Sequence, residues 1–362
     1  MSTETRRGFV IYRRNLDNRS GTGQLVAMQA EALRAAGHDV TLAARRGRLR
    51  YFLRTGSWPR RMPDAVGRGP SRRLIVDHSN ELESADVVFV HNSFLAASAY
   101  LQRSDWDRPI DDEARFFGRL GRETPIVANS DLIKQALVAQ YGVEPARIEI
   151  IYPGYCSQRF RPELRSVLGA RARAALGIAA DERVVGLIAS GDLLTRGLPT
   201  FLDAASTIAR ALPRTRFVVV GSKRLPDYAR THRLARDGRL LHRPKSTVPQ
   251  RWLSAFDVFL HTSLFDAYGM VVTEALALGV PTVTSTRCGV AERLLGAYRP
   301  FVLAEPDAAA FAAAAIRLLA DPQLSATLVA EGSRLVAEAT DAHYGRQCVA
   351  LIERSLGLES AA

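Results

Sequence analysis

The sequence predicts an α/β protein built from two blocks of parallel β-sheet, each covered by helices on both faces. Its 362 residues suffice for two domains of ordinary size. Short apolar runs rich in β-branched residues recur along the chain, as in "GFVIY", "ADVVFVHNS" and "RFVVVG". Helical segments such as "QLVAMQAEALRAAGH" separate these runs. Near-continuous apolar strands that alternate with helices are typical of parallel sheets buried on both faces.

The alternating pattern forms a first block over about residues 6–155 and a second over about residues 183–340. The first block opens with a strand, a Gly-rich turn and a helix. A polar, helical connector joins the two blocks, and the amphipathic stretch "AHYGRQCVALIERSLG" is expected to fold back on the first. We therefore predict an N-terminal domain of residues 1–160, completed by a helix at about 343–362, and a C-terminal domain of residues 161–342.

Composition favours a cytoplasmic protein. No segment approaches 18 uninterrupted apolar residues, so no transmembrane helix is expected. The start "MSTETRRGFVIYRR" lacks an apolar stretch ahead of a cleavage site and is interpreted as a mature N-terminus. The three cysteines, Cys156, Cys288 and Cys348, are scattered, which fits a reducing compartment.

The net charge of +12 favours partners that carry phosphate: nucleic acid, an anionic membrane face or an anionic substrate. A nucleic-acid partner is disfavoured because the charge is diffuse and no basic recognition helix is evident. Residues 45–73 hold ten Arg and one Asp. This Arg-rich stretch is either a solvated insertion or a surface for an anionic acceptor or the inner face of a membrane.

The stretch "SLFDAYGMVVTEALALGVPTVTS" carries the main candidate site. The preceding strand "DVFLHTS" ends near Ser263, and a helix is predicted to begin near Gly269. Ligands of parallel sheets bind beyond the carboxyl ends of the strands. The amides of Tyr268, Gly269 and Met270 would be free at the helix N-terminus, which makes them a predicted anion site.

Two acids accompany these amides. Asp266 precedes the helix and Glu274 lies within it. Carboxylates repel phosphate but accept hydrogen bonds from hydroxyls, so the pattern indicates a sugar on one side of a phosphate and a ribose on the other. The alternative for Asp266 is an acidic helix start favoured by the helix dipole.

These residues resemble a known family. "DAYGMVVTEAL" is similar to the acid, seven residues, Glu signature of retaining glycosyltransferases of family 4, which have the GT-B fold. Other segments of the chain also resemble that family, namely "RSGTGQL", "ADVVFVHNS", "ANSDLIKQALVAQYGVEPARIEIIYPGYCSQRFRP" and "ASGDLLTRGLPTFLDAA". The compact build is similar to the sugar transferases that extend the bacterial lipopolysaccharide core. The resemblance implies two Rossmann-like, doubly wound parallel-sheet domains that face each other across a cleft.

The resemblance also implies roles in donor binding. Glu274 would bind the ribose, Asp266 the transferred sugar, and Arg196 the diphosphate together with the amides of residues 268–270. Two positions depart from the family pattern: Asp266 stands where Glu is usual, and Arg196-Gly197 stands where Lys-Gly is usual. A guanidinium can still clamp a diphosphate with two hydrogen bonds.

Further positions follow from the same resemblance. Gly21 and Gly23 would let the backbone approach the donor phosphates. His91 ends a strand and would hydrogen-bond the transferred sugar, which makes His91, Asp266 and Arg196 the expected catalytic set. The backbone around His242 and Arg243 would contact the nucleotide base.

We expect neither a metal nor another cofactor. "DWD" at residues 105–107 matches the Asp-x-Asp pattern by which another transferase fold holds Mg²⁺, but there the motif follows an apolar strand. Here it lies in the polar, loop-like segment "LQRSDWDRPIDDE". Arg196 and helix N-termini would counter the charge of the leaving diphosphate instead.

The sequence thus predicts a retaining, hexosyltransferase-like enzyme of bacterial lipopolysaccharide or polysaccharide biosynthesis. It would move a sugar from a nucleotide diphosphate sugar to a cell-envelope glycan or glycolipid, in the cytoplasm or peripherally on the inner face of the plasma membrane. Two alternatives stay open. One is a nucleotide-sugar epimerase or phosphorylase of the same fold, and the other is a catalytically inactive binding or scaffold protein.

Overall fold

The computed structural model describes residues 7–16, 20–47, 49, 52–53, 59–62, 72–101 and 103–358. Much of the Arg-rich stretch 45–73 lies outside the described residues. The chain divides into two compact units. Unit 1 comprises Met1–Gly154 and Asp341–Ala362, and unit 2 comprises Tyr155–Thr340. The division at residues 160 and 342 stays a prediction.

Unit 1 contains a six-stranded sheet in the order β2-β1-β3-β4-β5-β6, in which every pairing is parallel. Its strands are β1 (Gly8–Asn15), β2 (Asp39–Arg46), β3 (Leu74–Asp77), β4 (Val87–Val90), β5 (Ile126–Ala128) and β6 (Ile148–Ile150). The sheet is apolar because both faces are covered: Val87, Val88 and Val90 of β4 are wholly buried.

The helices of the first part of unit 1 are α1 (Gly21–Ala35), α2 (Phe94–Ser98), α3 (Asp107–Arg119) and α4 (Asp131–Tyr141), with short 3₁₀ helices at Ser104–Trp106 and Pro145–Arg147. Helix α4 shows how the sequence sets the bounds. The Ser130 hydroxyl accepts the amide of Ile133 at 3.2 Å, which caps the start. Gly142 ends the helix in the left-handed region, at φ 62°.

The prediction of a Gly-rich turn after β1 is wrong, because the structure has a helix there. Helix α1 already begins at Gly21, so Gly21 and Gly23 lie in its first turn. The reason is a helix cap, because the Ser20 hydroxyl accepts the amide of Gly23 at 3.2 Å. The Gly23 amide is therefore satisfied within the chain.

Unit 2 contains a second parallel six-stranded sheet, in the order β12-β11-β10-β7-β8-β9. Its strands are β7 (Arg183–Ile188), β8 (Thr215–Val220), β9 (Leu240–Arg243), β10 (Val258–Leu260), β11 (Thr282–Ser285) and β12 (Val302–Leu303). After β7 the chain adds β8 and then β9 on one side of that strand. It then returns, and β10 pairs with β7 on the other side. The carboxyl ends of β7 and β10 therefore flank a topological switch point, where α/β sheets bind ligands.

Helices pack on this sheet as the sequence predicts. They are α5 (Pro162–Leu176), α6 (Leu198–Ala211), α7 (Asp227–Arg230), α8 (Arg233–Arg236), α9 (Pro249–Leu253), α10 (Met270–Ala277), α11 (Ala308–Ala320) and α12 (Pro322–Val336), with 3₁₀ helices at Gly289–Arg293 and Gly296–Phe301. Gly186 of β7 lets the Phe256 ring lie against the strand, since a Cβ at Gly186 would stand 2.1 Å from that ring. The predicted α/β fold with two parallel-sheet blocks is confirmed.

The last helix, α13 (Asp341–Ser355), returns to unit 1 and packs against α1. A Cβ at Gly345 would stand 2.7 Å from the Ala32 Cβ, so a small residue is needed at this contact. The His38 ring lies 2.9 Å from the Glu353 carboxylate. Within the described residues, no helix is both long and apolar enough to cross a membrane.

Candidate functional site

Two loops meet at the switch point of unit 2. One runs from β7 to α6 and the other from β10 to α10. The Leu264 amide donates to the Thr195 carbonyl at 3.0 Å, and the Thr262 hydroxyl donates to the Gly197 carbonyl at 2.9 Å. Gly197 has φ 69°, and a Cβ there would stand 1.8 Å from the Thr262 carbonyl oxygen. Only glycine fits at this crossing, which places the side chain of Arg196 over the second loop.

Arg196 is held by the β10–α10 loop. Its guanidinium forms an ion pair with Asp266. It also donates to the Ser263 hydroxyl at 3.2 Å and to the Phe265 carbonyl at 3.3 Å. The structure thus brings together two residues that the sequence predicted for one site although they lie 70 positions apart in the chain.

Asp266 has two further partners besides Arg196. The His261 Nε2 lies 3.2 Å from its carboxylate, and the Tyr268 amide hydrogen-bonds to it. Burial alone would raise the pKa of Asp266, but the charge of Arg196 and the His261 contact outweigh it and lower that pKa to about 2. Asp266 is therefore ionised at neutral pH.

The amides at the start of α10 are only partly available to an anion. The Tyr268 amide is occupied by Asp266, so Tyr268 could donate to a ligand only by releasing that carboxylate. The amides of Gly269 and Met270 have no acceptor among the described residues. Gly269 has φ 87°, and a Cβ there would stand 2.4 Å from the Cys288 Sγ. The close approach of Cys288 thus demands glycine at the helix start.

Glu274 lies in the second turn of α10 and is 6% exposed. Burial raises the pKa of its carboxyl group to about 8, against an opposing effect of the Arg159 charge. No hydrogen bond to this carboxyl group is found in the part of the chain that the structure describes. A buried polar group without a partner is costly to folding, so Glu274 is better explained by a ligand than by packing.

His242 and Arg243 lie at the end of β9. The His242 Nε2 lies 2.8 Å from the Gly221 carbonyl oxygen, and the Arg243 carbonyl accepts the Gly221 amide at 3.0 Å. The Arg243 guanidinium donates to the Ala175 carbonyl at 2.9 Å. Both residues stabilise the β8–β9 edge, and their contact with a base stays a prediction.

His91 follows β4 in unit 1 and belongs to a chain of hydrogen bonds. Its Nε2 lies 2.8 Å from the Nδ1 of His78, and the Nε2 of His78 lies 2.7 Å from the Gln29 Oε1. The two imidazole rings stack with centroids 5.1 Å apart. With the Gln29 oxygen as acceptor, His78 carries its proton on Nε2 and His91 donates from Nε2. The Nδ1 of His91 is then a lone-pair acceptor, and it is buried without a partner among the described residues.

Both histidines are neutral. Burial is the main cause that lowers the pKa of His91 to about 3, and the nearby charge of Arg13 adds to it. Burial likewise lowers the pKa of His78 far below its ordinary value. A neutral imidazole whose free nitrogen accepts a proton suits a hydroxyl ligand.

Asp77 organises the segment that presents His78. Its carboxylate accepts the amides of Ser79, Glu81 and Leu82 at 2.8, 2.8 and 2.9 Å. Burial raises the pKa of Asp77 to about 6, although these amide hydrogen bonds oppose the rise. The buried Asp77 carboxylate thereby fixes the turn after β3 through its hydrogen bonds.

The "DWD" motif has no strand before it. Asp105 lies on the 3₁₀ helix, where it is exposed and contacts Arg103 at 2.9 and 3.0 Å, and Asp107 begins α3. Among the described residues, no group of three or more His, Cys, Asp or Glu side chains is placed to hold a metal ion.

Comparisons with known families agree with this geometry. The family model described as "Glycosyltransferase Family 4" matches residues 19–159, and the model described as "Glycosyl transferases group 1" matches residues 183–321. The first match lies mostly in unit 1, and the second lies in unit 2, where it includes both loops of the candidate site. The chain belongs to glycosyltransferase family 4. The predicted family resemblance is confirmed.

Solved structures show the fold of this family 4 member. WaaG, described as a glycosyltransferase involved in lipopolysaccharide biosynthesis, superposes with a TM-score of 0.77 and 18% identity over 96% of this chain and 100% of that one. HepE of Anabaena in complex with UDP-glucose gives a TM-score of 0.76 and 16% identity over 96% of this chain and 99% of that one. The GT-B fold predicted from the resemblance is confirmed.

The sequence relatives match a smaller part of the chain. The D-inositol 3-phosphate glycosyltransferase of Mycobacterium tuberculosis is 30% identical over 174 residues. The aligned residues make up 46% of this chain and 34% of that relative. The chain thus matches about a third of the length of the curated relative.

Four residues of these sites were missed by the sequence analysis: His261, Asp77, His78 and Gln29. For His261 a signal exists, because a polar residue at the carboxyl end of a predicted strand stands where parallel sheets bind ligands. The same signal marks Asp77 and His78, which end and follow β3. Gln29 lies inside a helix with an ordinary pattern, and only the fold shows that it faces His78.

Proposed function

We propose that this family 4 member is a retaining glycosyltransferase that moves a sugar, hexose in type, from a nucleotide diphosphate sugar to a glycan or glycolipid of a bacterial cell envelope. One observation carries the proposal. The switch point of unit 2 combines an Arg196–Asp266 ion pair, two amides that have no acceptor within the described part of the chain, and a buried carboxyl group. A diphosphate requires a cation and free amides as ligands. The hydroxyls of the two rings that flank it require acids as hydrogen-bond partners.

The donor would bind to unit 2 as follows. The amides of Gly269 and Met270 and the guanidinium of Arg196 contact the diphosphate. Asp266, which is ionised, accepts hydrogen bonds from hydroxyls of the sugar. Glu274, protonated at neutral pH, both donates to and accepts from the ribose hydroxyls. The complex of HepE with UDP-glucose, which shares the fold, supports a nucleotide sugar as the donor.

The reaction replaces one bond at the anomeric carbon with another on the same face. The bond from that carbon to the phosphate oxygen breaks, and a bond to the acceptor oxygen forms. The proton of the acceptor hydroxyl passes to the leaving phosphate oxygen. Arg196 and the amides stabilise the charge that develops on the diphosphate, so catalysis consists of positioning and electrostatic stabilisation. In this proposal no metal takes part.

Unit 1 would bind the acceptor, and His91 would hydrogen-bond the transferred sugar. The acceptor would be met at the inner face of the plasma membrane, which the Arg-rich stretch 45–73 would contact by charge. Flotation of the purified protein with anionic liposomes tests the membrane contact. Unchanged flotation after residues 46–73 are deleted would refute it.

Calorimetric titration of the purified chain with a panel of nucleotide diphosphate sugars tests the donor assignment. We expect one of them to bind wild type, and Glu274→Ala or Arg196→Ala to weaken that binding. Products formed with a bacterial envelope extract are then analysed by NMR, where retention of the anomeric configuration is expected. Absence of binding by every donor would refute the proposed function, and inversion would refute the retaining mechanism.

A further inference from the structure

His261 is a buried histidine directly after β10, in the loop that carries Asp266. Its imidazole has a polar partner at each nitrogen. Nε2 lies 3.2 Å from Oδ2 of Asp266, and Nδ1 lies 3.2 Å from Oγ1 of Thr284, a buried residue of β11. The ring is therefore held between the loop of the candidate site and the neighbouring strand of the sheet.

The charge of Asp266 fixes which ring nitrogen of His261 carries the proton. Asp266 is ionised, so it can only accept a hydrogen bond, and Nε2 of His261 is the donor. In the neutral imidazole, Nδ1 is then the acceptor, and the hydroxyl of Thr284 donates to it. The three side chains thus form one directed series of hydrogen bonds, from Thr284 to His261 to Asp266.

The backbone of Asp266 is fixed by the segment that follows β11. The Asp266 amide donates to the Arg287 carbonyl at 2.9 Å, and the Asp266 carbonyl accepts the Gly289 amide at 3.0 Å. These two hydrogen bonds set where the side chain begins but not how its carboxylate is turned. The orientation of the carboxylate therefore depends on the groups that contact its oxygens.

Arg196 and His261 contact the same carboxylate oxygen of Asp266. Nη1 of Arg196 and Nε2 of His261 both lie against Oδ2. In the proposed function the guanidinium of Arg196 also binds the diphosphate, so the ligand competes for its hydrogen bonds. His261 is 2% exposed and both of its ring nitrogens are engaged, so it stays on Asp266 when the ligand binds.

We propose that His261 is a positioning residue for the transferred sugar. Its Nε2–H holds Oδ2 of Asp266, and the Thr284 hydroxyl holds the ring, so that the carboxylate keeps the orientation in which it accepts a sugar hydroxyl. This inference rests on the proposed function, which assigns Asp266 to the sugar. It adds two buried residues through which the protein recognises the sugar separately from the nucleotide.

Calorimetric titration of the full chain with a nucleotide sugar and with its nucleoside diphosphate tests this role. UDP-glucose and UDP are the first pair, followed by the other donors of the panel. In His261→Leu, Asp266 loses a hydrogen bond to a charged group, so the Kd of the nucleotide sugar should rise about tenfold. The Kd of the nucleoside diphosphate should change by less than about twofold, because that ligand lacks the sugar. Equal losses for the two ligands would overturn the inference.

His261→Gln is the conservative variant. The side-chain amide of Gln places a donor near the position of Nε2, so the Kd of the nucleotide sugar should lie within about threefold of the wild-type value. Thermal melting shows that each variant is folded. A Gln variant that binds the nucleotide sugar no better than His261→Leu would contradict the role of the Nε2–H donor.

Thr284→Val removes the hydroxyl that holds Nδ1 while it keeps the size and branching of the side chain. The Kd of the nucleotide sugar should rise about threefold. The matched control is Thr282→Val, in the same strand, because Thr282 is also buried and its hydroxyl donates to the Val280 carbonyl at 3.0 Å. This control should leave the Kd within about 1.5-fold of wild type. Losses of the same size in the two variants would contradict the role of Thr284.

A double variant shows whether His261 acts through Asp266. Asp266→Asn alone should weaken binding of the nucleotide sugar. Adding His261→Leu to Asp266→Asn should then raise the Kd by no more than about twofold, because the carboxylate that His261 holds is already gone. Additive losses would show that His261 acts on the ligand by another route, and they would overturn the inference.

A measurement without ligand checks where the proton of His261 lies. Proton–nitrogen NMR spectra of the full chain with isotope-labelled histidine report the tautomer of each imidazole, and the signals of His261 are those that His261→Gln lacks. We expect the proton on Nε2. A proton on Nδ1 alone would overturn the inference, because Nε2 could then not donate to Asp266.

These experiments separate the inference from the proposed function. If no nucleotide sugar binds wild type, the proposed function is refuted, and the inference falls with it. If a nucleotide sugar binds, but His261→Leu weakens the nucleotide sugar and the nucleoside diphosphate equally, the proposed function stands and the role of His261 is refuted.

Discussion

Both units contain a parallel six-stranded sheet, but the strand orders differ, and so does the charge of the residues at the two switch points. In unit 2, Arg196 and Asp266 neutralise each other, and the carboxyl group of Glu274 is buried in the second turn of α10. In unit 1, His78 and His91 at the strand ends are neutral, and the described residues at this sheet edge include seven arginines and four acids. The same sheet edge can therefore present a paired site or a cationic one, depending on the residues that follow each strand.

This contrast suggests that the two units attract charged ligands in different ways. In a site whose cation and anion are already paired, a ligand group can take the place of one partner. The net charge of the site then changes little. A site with more cations than acids attracts anions from a distance. Substitutions at five positions, in order of decreasing expected effect, show whether the contrast has functional consequences.

Arg196→Ala should have the largest effect. It removes the proposed diphosphate ligand and also leaves Asp266 charged without its main partner. We expect transfer to fall about a hundredfold, equivalent to about 2.7 kcal/mol of barrier stabilisation. Steady-state kinetics with the identified donor measure the loss.

Arg196→Lys is the matched variant for this comparison. It keeps the charge but not the two-pronged hydrogen bonding, and it should recover part of the rate. A rate for Arg196→Ala equal to that of wild type would show that the ion pair is only structural.

Glu274→Gln should weaken donor binding about tenfold and yet stabilise unit 2. The pKa of about 8 means that the folded protein holds a proton that the unfolded chain releases above its ordinary pKa of 4.5. The wild type therefore loses stability as pH rises from about 4.5 to 8, and the Gln variant, which cannot ionise, does not.

Calorimetric melting from pH 4 to pH 9 checks this expectation. The Tm difference between Glu274→Gln and wild type should be near zero at pH 4, grow until about pH 8 and then level off. At pH 8 the variant should melt at least about 3 °C higher. A destabilised variant across the whole range would mean that Glu274 has a structural partner.

His78→Asn should reduce transfer by about fivefold while the donor Kd stays unchanged, because His78 orients His91 and does not belong to the donor site of unit 2. Gln29→Leu should show the same split between kcat and donor binding, since it removes the next member of the hydrogen-bonded chain. A change in donor Kd with unchanged kcat would contradict this positioning role.

Asp105→Asn should have the smallest effect. Asp105 is exposed and paired with Arg103. We expect transfer to change by less than about twofold, and addition of a chelator to leave the rate unchanged. A large loss in either experiment would assign the "DWD" motif to metal binding.

Much of the fold could be predicted from the sequence because buried parallel strands are continuous apolar runs, and helix bounds are marked by Ser and Gly, as at Ser130 and Gly142. The acid and amide groups of the second unit could also be found, since they lie within one short segment. What could not be predicted are contacts between distant segments. The pairing of Arg196 with Asp266 and of Gln29 with His78 depends on which loops the sheet order makes neighbours.

The wrong prediction of a Gly-rich turn after β1 has a similar origin. A segment with two glycines is typical of a turn, but the Ser20 cap allows the helix to begin at Gly21. Propensity alone predicts a loop there. The cap and the packing of α1 against α13 override that preference.

The return of α13 to unit 1 affects the order in which the chain can be assembled during translation. Residues 155–340 are synthesised before Asp341–Ser355, so unit 2 can begin to fold while the surface of α1 that receives α13 is still bare. Until the final turns emerge, this apolar stripe is open to chaperones or to neighbouring nascent chains. Completion of the unit that is synthesised first therefore waits for a segment that follows unit 2 in the chain.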